Sequence, residues 1–453
     1  MADAIHELVA HVQRTSFEHL SNDATAAAKT FILDTIGVGI GGSTGPDADT
    51  LLDTLKASGD GSEATVLASG ARLPTAHAAM CNAYQAHCQE FDCVHEEAVA
   101  HVMTVVLPCA LAEAERLVGV DGKTLITAVV LGVDVAATLG AAATSGLRFF
   151  RPATAGAMGA AAAIGKLRGF DAKTLLNAFS ITYGQIGGTM QAHTEGSGLL
   201  AMQIGFNARN AVTACDLAAA GFTGPQNILE GPFGYFTLIE DGGDLAPHLA
   251  RLGKDWRITE VAHKPFPSGR ATHGIMDGCL SLQREHGFAA SDIAQIDLSV
   301  PPLIRHLVGR PPRTEMEINY ARLSAAYVTA CALFEPLTRA DFNPAAYQRA
   351  DRQDLANRIS MRVREGDDPN ALSPIHVVVY LKGGSELTES VEHVYGCPEN
   401  PMSRDAQIEK FQLWCSHAVS PLPDANVDAM IGMIDALQDQ PDIRDLIALT
   451  AGR

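Results

Sequence analysis

The sequence predicts a mainly α-helical protein: a large all-helical domain built from both chain ends, with an α+β domain inserted into it. Three observations predict this. Residues 1–250 are dominated by Ala-rich apolar segments at helical spacing, and strand-type alternation is nearly absent from them. Period-two alternation is confined to segments between Ile296 and Val394. Helical patterning then returns over Asp405–Arg453, after the proline-punctuated PENPMS (398–403). The expected division is 1–264 helical, 265–400 α+β and 401–453 helical again.

Taken in order, Ala24–Val38 carries apolar residues at helical spacing, with Asn22-Asp23 available as a cap and GGSTGP (41–46) as a stop. Pro74–Gln89 predicts a second Ala-rich helix and Val102–Val118 a third. Leu125–Thr144 is almost free of charge, so it is expected to be buried on most sides. Gly156–Leu167, Ala172–Ile186 and Ala208–Ala220 repeat the style. HKPFPSG (263–269) reads as a linker and His273–Glu285 as a helix. Ile296–Val300 and Ile359–Val363 alternate like half-buried strands. His376–Leu381, the glycine pair 383–384 and Leu387–Val394 read as a hairpin.

Composition limits the function classes. The 453 residues are 47% hydrophobic and 19% charged, the balance of a well-packed globular chain. Acidic residues outnumber basic ones, 52 to 33, giving a net charge of −19, so nucleic acid and anionic membrane surfaces are not expected partners. An anionic small substrate would need a local basic pocket. The nine cysteines show no CxxC pair, as expected of reduced thiols. The N-terminus has no apolar signal core, and no run reads as long and apolar enough to span a bilayer. A cytoplasmic location is expected.

The chemistry concentrates between Cys88 and Glu115. Glu90, Asp92, His95, Glu96, Glu97 and His101 fall within twelve residues and run straight into an apolar helix. Titratable groups this dense beside a buried helix suit an active-site wall; the alternative is a solvated acidic loop with incidental histidines. A metal site using His95, Glu96, Glu97 and His101 is disfavoured. Its histidines are six apart, whereas a helical HExxH pair is four apart. No Gly-rich phosphate loop and no nicotinamide or flavin fingerprint occurs, so no cofactor is expected.

Five segments, in order, resemble the MmgE/PrpD family: FILDTIGVGIGG (31–42), EFDCVHEEAVAH (90–101), GFTGPQNILEGPFGYF (221–236), KPFPSGRATHGIMD (264–277) and CPENPMSRDAQIEKF (397–411). The family includes 2-methylcitrate dehydratase, cis-aconitate decarboxylase and iminodisuccinate epimerase. The resemblance implies a helical domain from both chain ends, an α+β lid, a homodimer and no cofactor. It also implies a small anionic carboxylate substrate that loses a proton alpha to a carboxylate. Elimination of the dehydratase type is the expected outcome. Epimerisation of a small dicarboxylate such as iminodisuccinate is the alternative, and a dimeric small-acid-binding protein is the non-enzyme reading.

Matched residue by residue, the resemblance nominates His101, His273, Tyr327, Glu90 and Asp92 for catalysis. Lys264 and Arg270, beside the linker, are expected to bind substrate carboxylates. Two departures stand out. Where family decarboxylases and dehydratases carry lysine and histidine before the glycine of QIGFNAR (203–209), this chain has Leu200 and Gln203. Near Phe150-Arg151-Pro152 a family His-Pro is replaced and Arg151 gained. Arg151 and Gln203 are therefore expected to contact substrate. Gln203 can hydrogen-bond but not titrate.

Overall fold

Long, nearly uncharged helices need neighbours on every side, and in this chain they provide them for one another. The computed structural model describes residues 3–59, 61–366, 368 and 370–452. It divides into two compact units: Met1–Thr189 with Ala201–Val261 and Ser403–Arg453, and Met190–Leu200 with Ala262–Met402.

In the first unit the core helices are Asn22–Gly42, Thr75–His87, Met103–Leu117, Gly122–Ala141 and Arg151–Leu167. Their apolar faces merge into one buried cluster that also takes in Phe411, Met430 and Ile434 from the C-terminal helices. Both chain ends therefore build one core. Ser21, not Asn22 or Asp23, caps the first of these helices, its hydroxyl accepting the Ala24 N–H at 3.1 Å. That helix passes very close to Thr75–His87. A Cβ on Gly42 would lie 1.9 Å from the carbonyl oxygen of Gln85, so only glycine permits the approach. Helix Ala48–Ala57 was not anticipated, although Leu51, Leu52 and Leu55 fall at helical spacing in it.

One sequence expectation is corrected here. Helix Gly122–Ala141 is long and apolar enough to cross a membrane by length and composition, but 89% of its apolar window is buried in this unit. The cause is helix-on-helix packing against Arg151–Leu167 and Met103–Leu117. All nine cysteines are buried.

The second unit is α+β. Its four-stranded sheet has Ile359–Val363 at one edge, then Ile293–Val300, Ile375–Leu381 and Glu386–Val391. The first pair is parallel, with Leu298 opposite Met361; the other two are antiparallel, with Leu298 opposite Val377 and Val377 opposite Glu389. The expected hairpin is the last pair. Helix Arg270–His286 lies on this sheet, and Gly274 admits it: a Cβ there would meet Ile375 at 2.4 Å. The linker before it, 263–269, has no regular structure.

Candidate active site

The acidic stretch is largely buried, with Glu97 its one exposed residue. Glu90 and Asp92 are 4% and 0% exposed. Helix Thr75–His87 ends at His87, whose carbonyl accepts the Glu90 N–H at 2.9 Å. Glu90 turns the chain with φ +53°, and Val99 does so again with φ +47°. Both lie in the left-handed region that side chains disfavour, most of all a β-branched one. Such strain persists only where the surroundings over-determine it.

Those surroundings include the C-terminal segment. Lys410, on helix Arg404–Cys415, donates to the Phe91 carbonyl at 2.9 Å and pairs with Asp34 at 2.7 Å. Its ammonium also sits 4.0 Å from the Phe91 ring centroid, and the same ring meets Trp414 at 5.0 Å. Phe91, between Glu90 and Asp92, is thus held by two side chains of one helix.

Four titratable side chains cluster here: Asp92, His101, His87 and Glu90. His101 Nδ1 lies 2.7 Å from Asp92 Oδ2. His87 Nδ1 makes a 3.0 Å hydrogen bond to the same oxygen. His87 Nε2 lies 3.5 Å from Glu90 Oε1, and the two imidazoles meet edge to face at 4.8 Å. Of the four, His101 alone has appreciable exposure, 13% of its side chain. Its carbonyl, not its ring, opens helix Met103–Leu117 by accepting the Thr104 N–H and hydroxyl. A neutral imidazole with Nδ1 against a carboxylate carries its hydrogen there, which leaves Nε2 with the lone pair. Sequence reasoning missed His87. The available signal was a histidine closing an Ala-rich helix five residues before Asp92.

His95 belongs elsewhere. Its Nδ1 accepts the Ala98 N–H at 3.2 Å and its Nε2 faces Glu260 at 3.0 Å, so both ring nitrogens serve the loop itself. His95 and His101 therefore do not share a ligand set. Among the described residues three groups bring His, Cys or carboxylate ligand atoms within 4.8 Å of one another: His87–Asp92–His101, His95–Glu97–Glu260 and His393–Cys397–Glu399. In the second, Arg257 already pairs with both Glu97 and Glu260 at 2.9 Å, so the carboxylates have a counter-charge.

Arg151 departs from its expected substrate contact. It is fully buried, clasps Glu240 through Nε and a terminal nitrogen at 2.9–3.2 Å, and donates to the Ala98 carbonyl at 3.2 Å. Tyr235 donates to the same Glu240 at 3.2 Å. A guanidinium so engaged fixes the segment leading to His101 instead of reaching a ligand. Its neighbour Phe150 lies against the His87 ring at 5.6 Å.

Gln203, on helix Leu199–Ala219, is 5% exposed, and its Nε2 has no hydrogen-bond partner among the described residues. Leu200, one turn earlier, is buried.

The remaining candidates lie in the α+β unit. His273 is fully buried on helix Arg270–His286; its Nε2 lies 3.1 Å from the Ser268 carbonyl, so that nitrogen donates and Nδ1 holds the lone pair. Phe266 meets its ring edge to face at 5.4 Å. Lys264 is fully buried. Arg270 donates to the carbonyls of His263, Val394 and Tyr395 at 2.8–3.2 Å, tying the linker to the end of the last strand. Tyr327 departs from the expected catalytic role. Its hydroxyl donates to the Asp341 carbonyl at 2.6 Å, its ring packs on Tyr347, and burial pushes its pKa far up. It is a core residue with a satisfied hydroxyl.

Comparison with known proteins matches residues 6–248 to the MmgE/PrpD N-terminal domain and residues 266–435 to the MmgE/PrpD C-terminal domain. Cis-aconitate decarboxylase of Mus musculus is 28% identical over 458 residues, covering 96% of this chain and 90% of the mouse protein. The Homo sapiens protein of that name is also 28% identical, with 96% and 92% covered. Cis-aconitate decarboxylase-like protein oryM of Aspergillus oryzae is 26% identical, with 95% and 93% covered.

Proposed function

Because the chain belongs to the MmgE/PrpD family, we propose that it is a cofactor-independent lyase that removes a proton alpha to a carboxylate of a small di- or tricarboxylic acid. The observation that carries this reading is the pairing of a partly exposed His101 with a fully buried Asp92 at 2.7 Å. A histidine oriented by a carboxylate works as base in one direction and acid in the other, and its ordinary pKa of about 6.5 suits both. His273, with its lone pair on Nδ1, is the second proton-transfer group. Lys264 supplies positive charge for the substrate's carboxylates. Gln203 Nε2, a buried donor without an acceptor among the described residues, suits a carboxylate oxygen, because such a donor is costly to leave unpaired.

Elimination follows if the carbanion expels a β-hydroxide, and epimerisation if a proton returns on the other face. Decarboxylation, the reaction in the relatives' names, is disfavoured by Leu200 and Gln203. An apolar side chain and a non-titrating amide cannot supply the cation and the proton donor that the matching family positions provide. The test is deuterium wash-in at the alpha carbon of 2-methylcitrate, cis-aconitate and iminodisuccinate in heavy water, followed by NMR. Exchange by the wild type, reduced roughly 10²–10⁴-fold in His101→Gln, supports the reading. Full exchange in that variant refutes the assignment of the base. Robust decarboxylation of cis-aconitate refutes the elimination reading.

A further inference from the structure

We propose that His87 is a positioning residue of this site: its Nδ1–H anchors Asp92 so that one carboxylate oxygen stays aimed at His101 Nδ1. The proposal rests on the reading of His101 as the base and deepens it. Asp92 is fully buried, so bulk water does not hold its carboxylate in one rotamer. Oδ2 is the atom that both histidines address, His87 through a 3.0 Å hydrogen bond and His101 at 2.7 Å. His87 itself is fixed by its place. It is the last residue of helix Thr75–His87, its ring is flanked by Phe150 at 5.6 Å, and its far nitrogen faces Glu90 at 3.5 Å. The left-handed turn at Glu90 brings that carboxylate back beside the helix end.

The chemical consequence concerns which nitrogen of His101 bears hydrogen. An immobile acceptor at Nδ1 favours the Nδ1–H tautomer and keeps the Nε2 lone pair for substrate. If the anchor is lost, the carboxylate rotates and His101 populates the Nε2–H form, which cannot accept a proton where substrate lies. The geometry is atom-specific. An asparagine at 87 places an N–H donor where imidazole Nδ1 stands. A glutamine places one nearer Nε2, on the Glu90 side, and a leucine places none.

The test uses the full chain without substrate, so that it stands apart from the proposed reaction. Nitrogen-15 NMR of histidine-labelled protein, with the His101 signals assigned from His101→Asn, reads the tautomer directly. Wild type and His87→Asn should show His101 as Nδ1–H, whereas His87→Leu and His87→Gln should show a shift toward Nε2–H. With whichever of the three acids the wild type deprotonates, kcat should fall about 10–100-fold in His87→Leu and His87→Gln at unchanged KM, the size of loss typical when an orienting partner is removed. His87→Asn should stay within about threefold of wild type. If His87→Leu does not fold, the Asn and Gln variants carry the comparison. An unchanged His101 tautomer in His87→Gln overturns the proposal, as does equal impairment of the Asn and Gln variants. If the wild type turns over none of the acids, the reaction reading fails while the tautomer comparison still decides the role of His87.

Discussion

Glu260 shows how a single carboxylate in this loop region is tied to stability. Burial alone would push its carboxyl up, but hydrogen bonds and charges from His95 and Arg257 outweigh that and hold it well below its ordinary 4.5. A pKa depressed by folding contributes stability that is fully present above the unfolded value and is lost as pH falls through the folded one. Glu260→Gln should therefore unfold at lower urea than wild type near neutral pH. The gap should narrow progressively below pH 4.5, the group's ordinary value. Urea titrations followed by circular dichroism between neutral and acid pH check this, and a gap independent of pH would contradict it. The residue scale is also where sequence reading was least complete. Glu90, Asp92 and His101 stood out because they crowd one stretch. His87 did not, because a histidine in an Ala-rich helix carries no sign of the carboxylate it meets past the helix end. The engagement of Arg151 was not legible for a related reason: its partner Glu240 is 89 positions away, and nothing local announces the pair.

Among the elements, helix Arg404–Cys415 braces the acidic stretch through Lys410. Replacing Lys410 with methionine keeps the stem but leaves Asp34 as a buried unpaired carboxylate and frees the Phe91 carbonyl. Breaking a buried pair on one side costs about 3–5 kcal/mol. Lys410→Met should lose about that much in urea unfolding, and Lys410→Met with Asp34→Leu should recover part of it. The remaining deficit would be the share due to Phe91. The helices themselves were legible because apolar residues at helical spacing, free of charge, leave few other structures open. The strands were legible from their alternation, and three of the four were placed within one residue of their observed starts. What could not be read was contact between elements far apart in the chain. The Gly42 approach to Gln85 and the clamp from Lys410 to Phe91 depend on packing, which one sequence does not display.

At the scale of the whole molecule, the Ala-rich helices are buried inside a single chain, so they do not by themselves demand a second copy. Leu217, Phe222, Phe233 and Leu238 of the helical unit remain exposed, Phe233 by 76%. Large apolar side chains left in water favour association, and two-fold dimers are the commonest solution. Light scattering at micromolar concentration should give about twice the chain mass of 47.8 kDa. Phe222→Ser with Phe233→Ser should lower that mass, and a monomer in the wild type would contradict the expectation. The Lys410 clamp also bears on the order in which the protein becomes competent during synthesis. Translation proceeds from the N-terminus at roughly 5–20 residues per second, and structure forms as the chain emerges. Glu90, Asp92 and His101 are made early, yet the side chain that fixes Phe91 among them comes more than 300 positions later. The nascent polypeptide thus carries these titratable groups through more than 300 further residues of synthesis without the brace that sets their geometry, and that corner locks only once Lys410 has emerged.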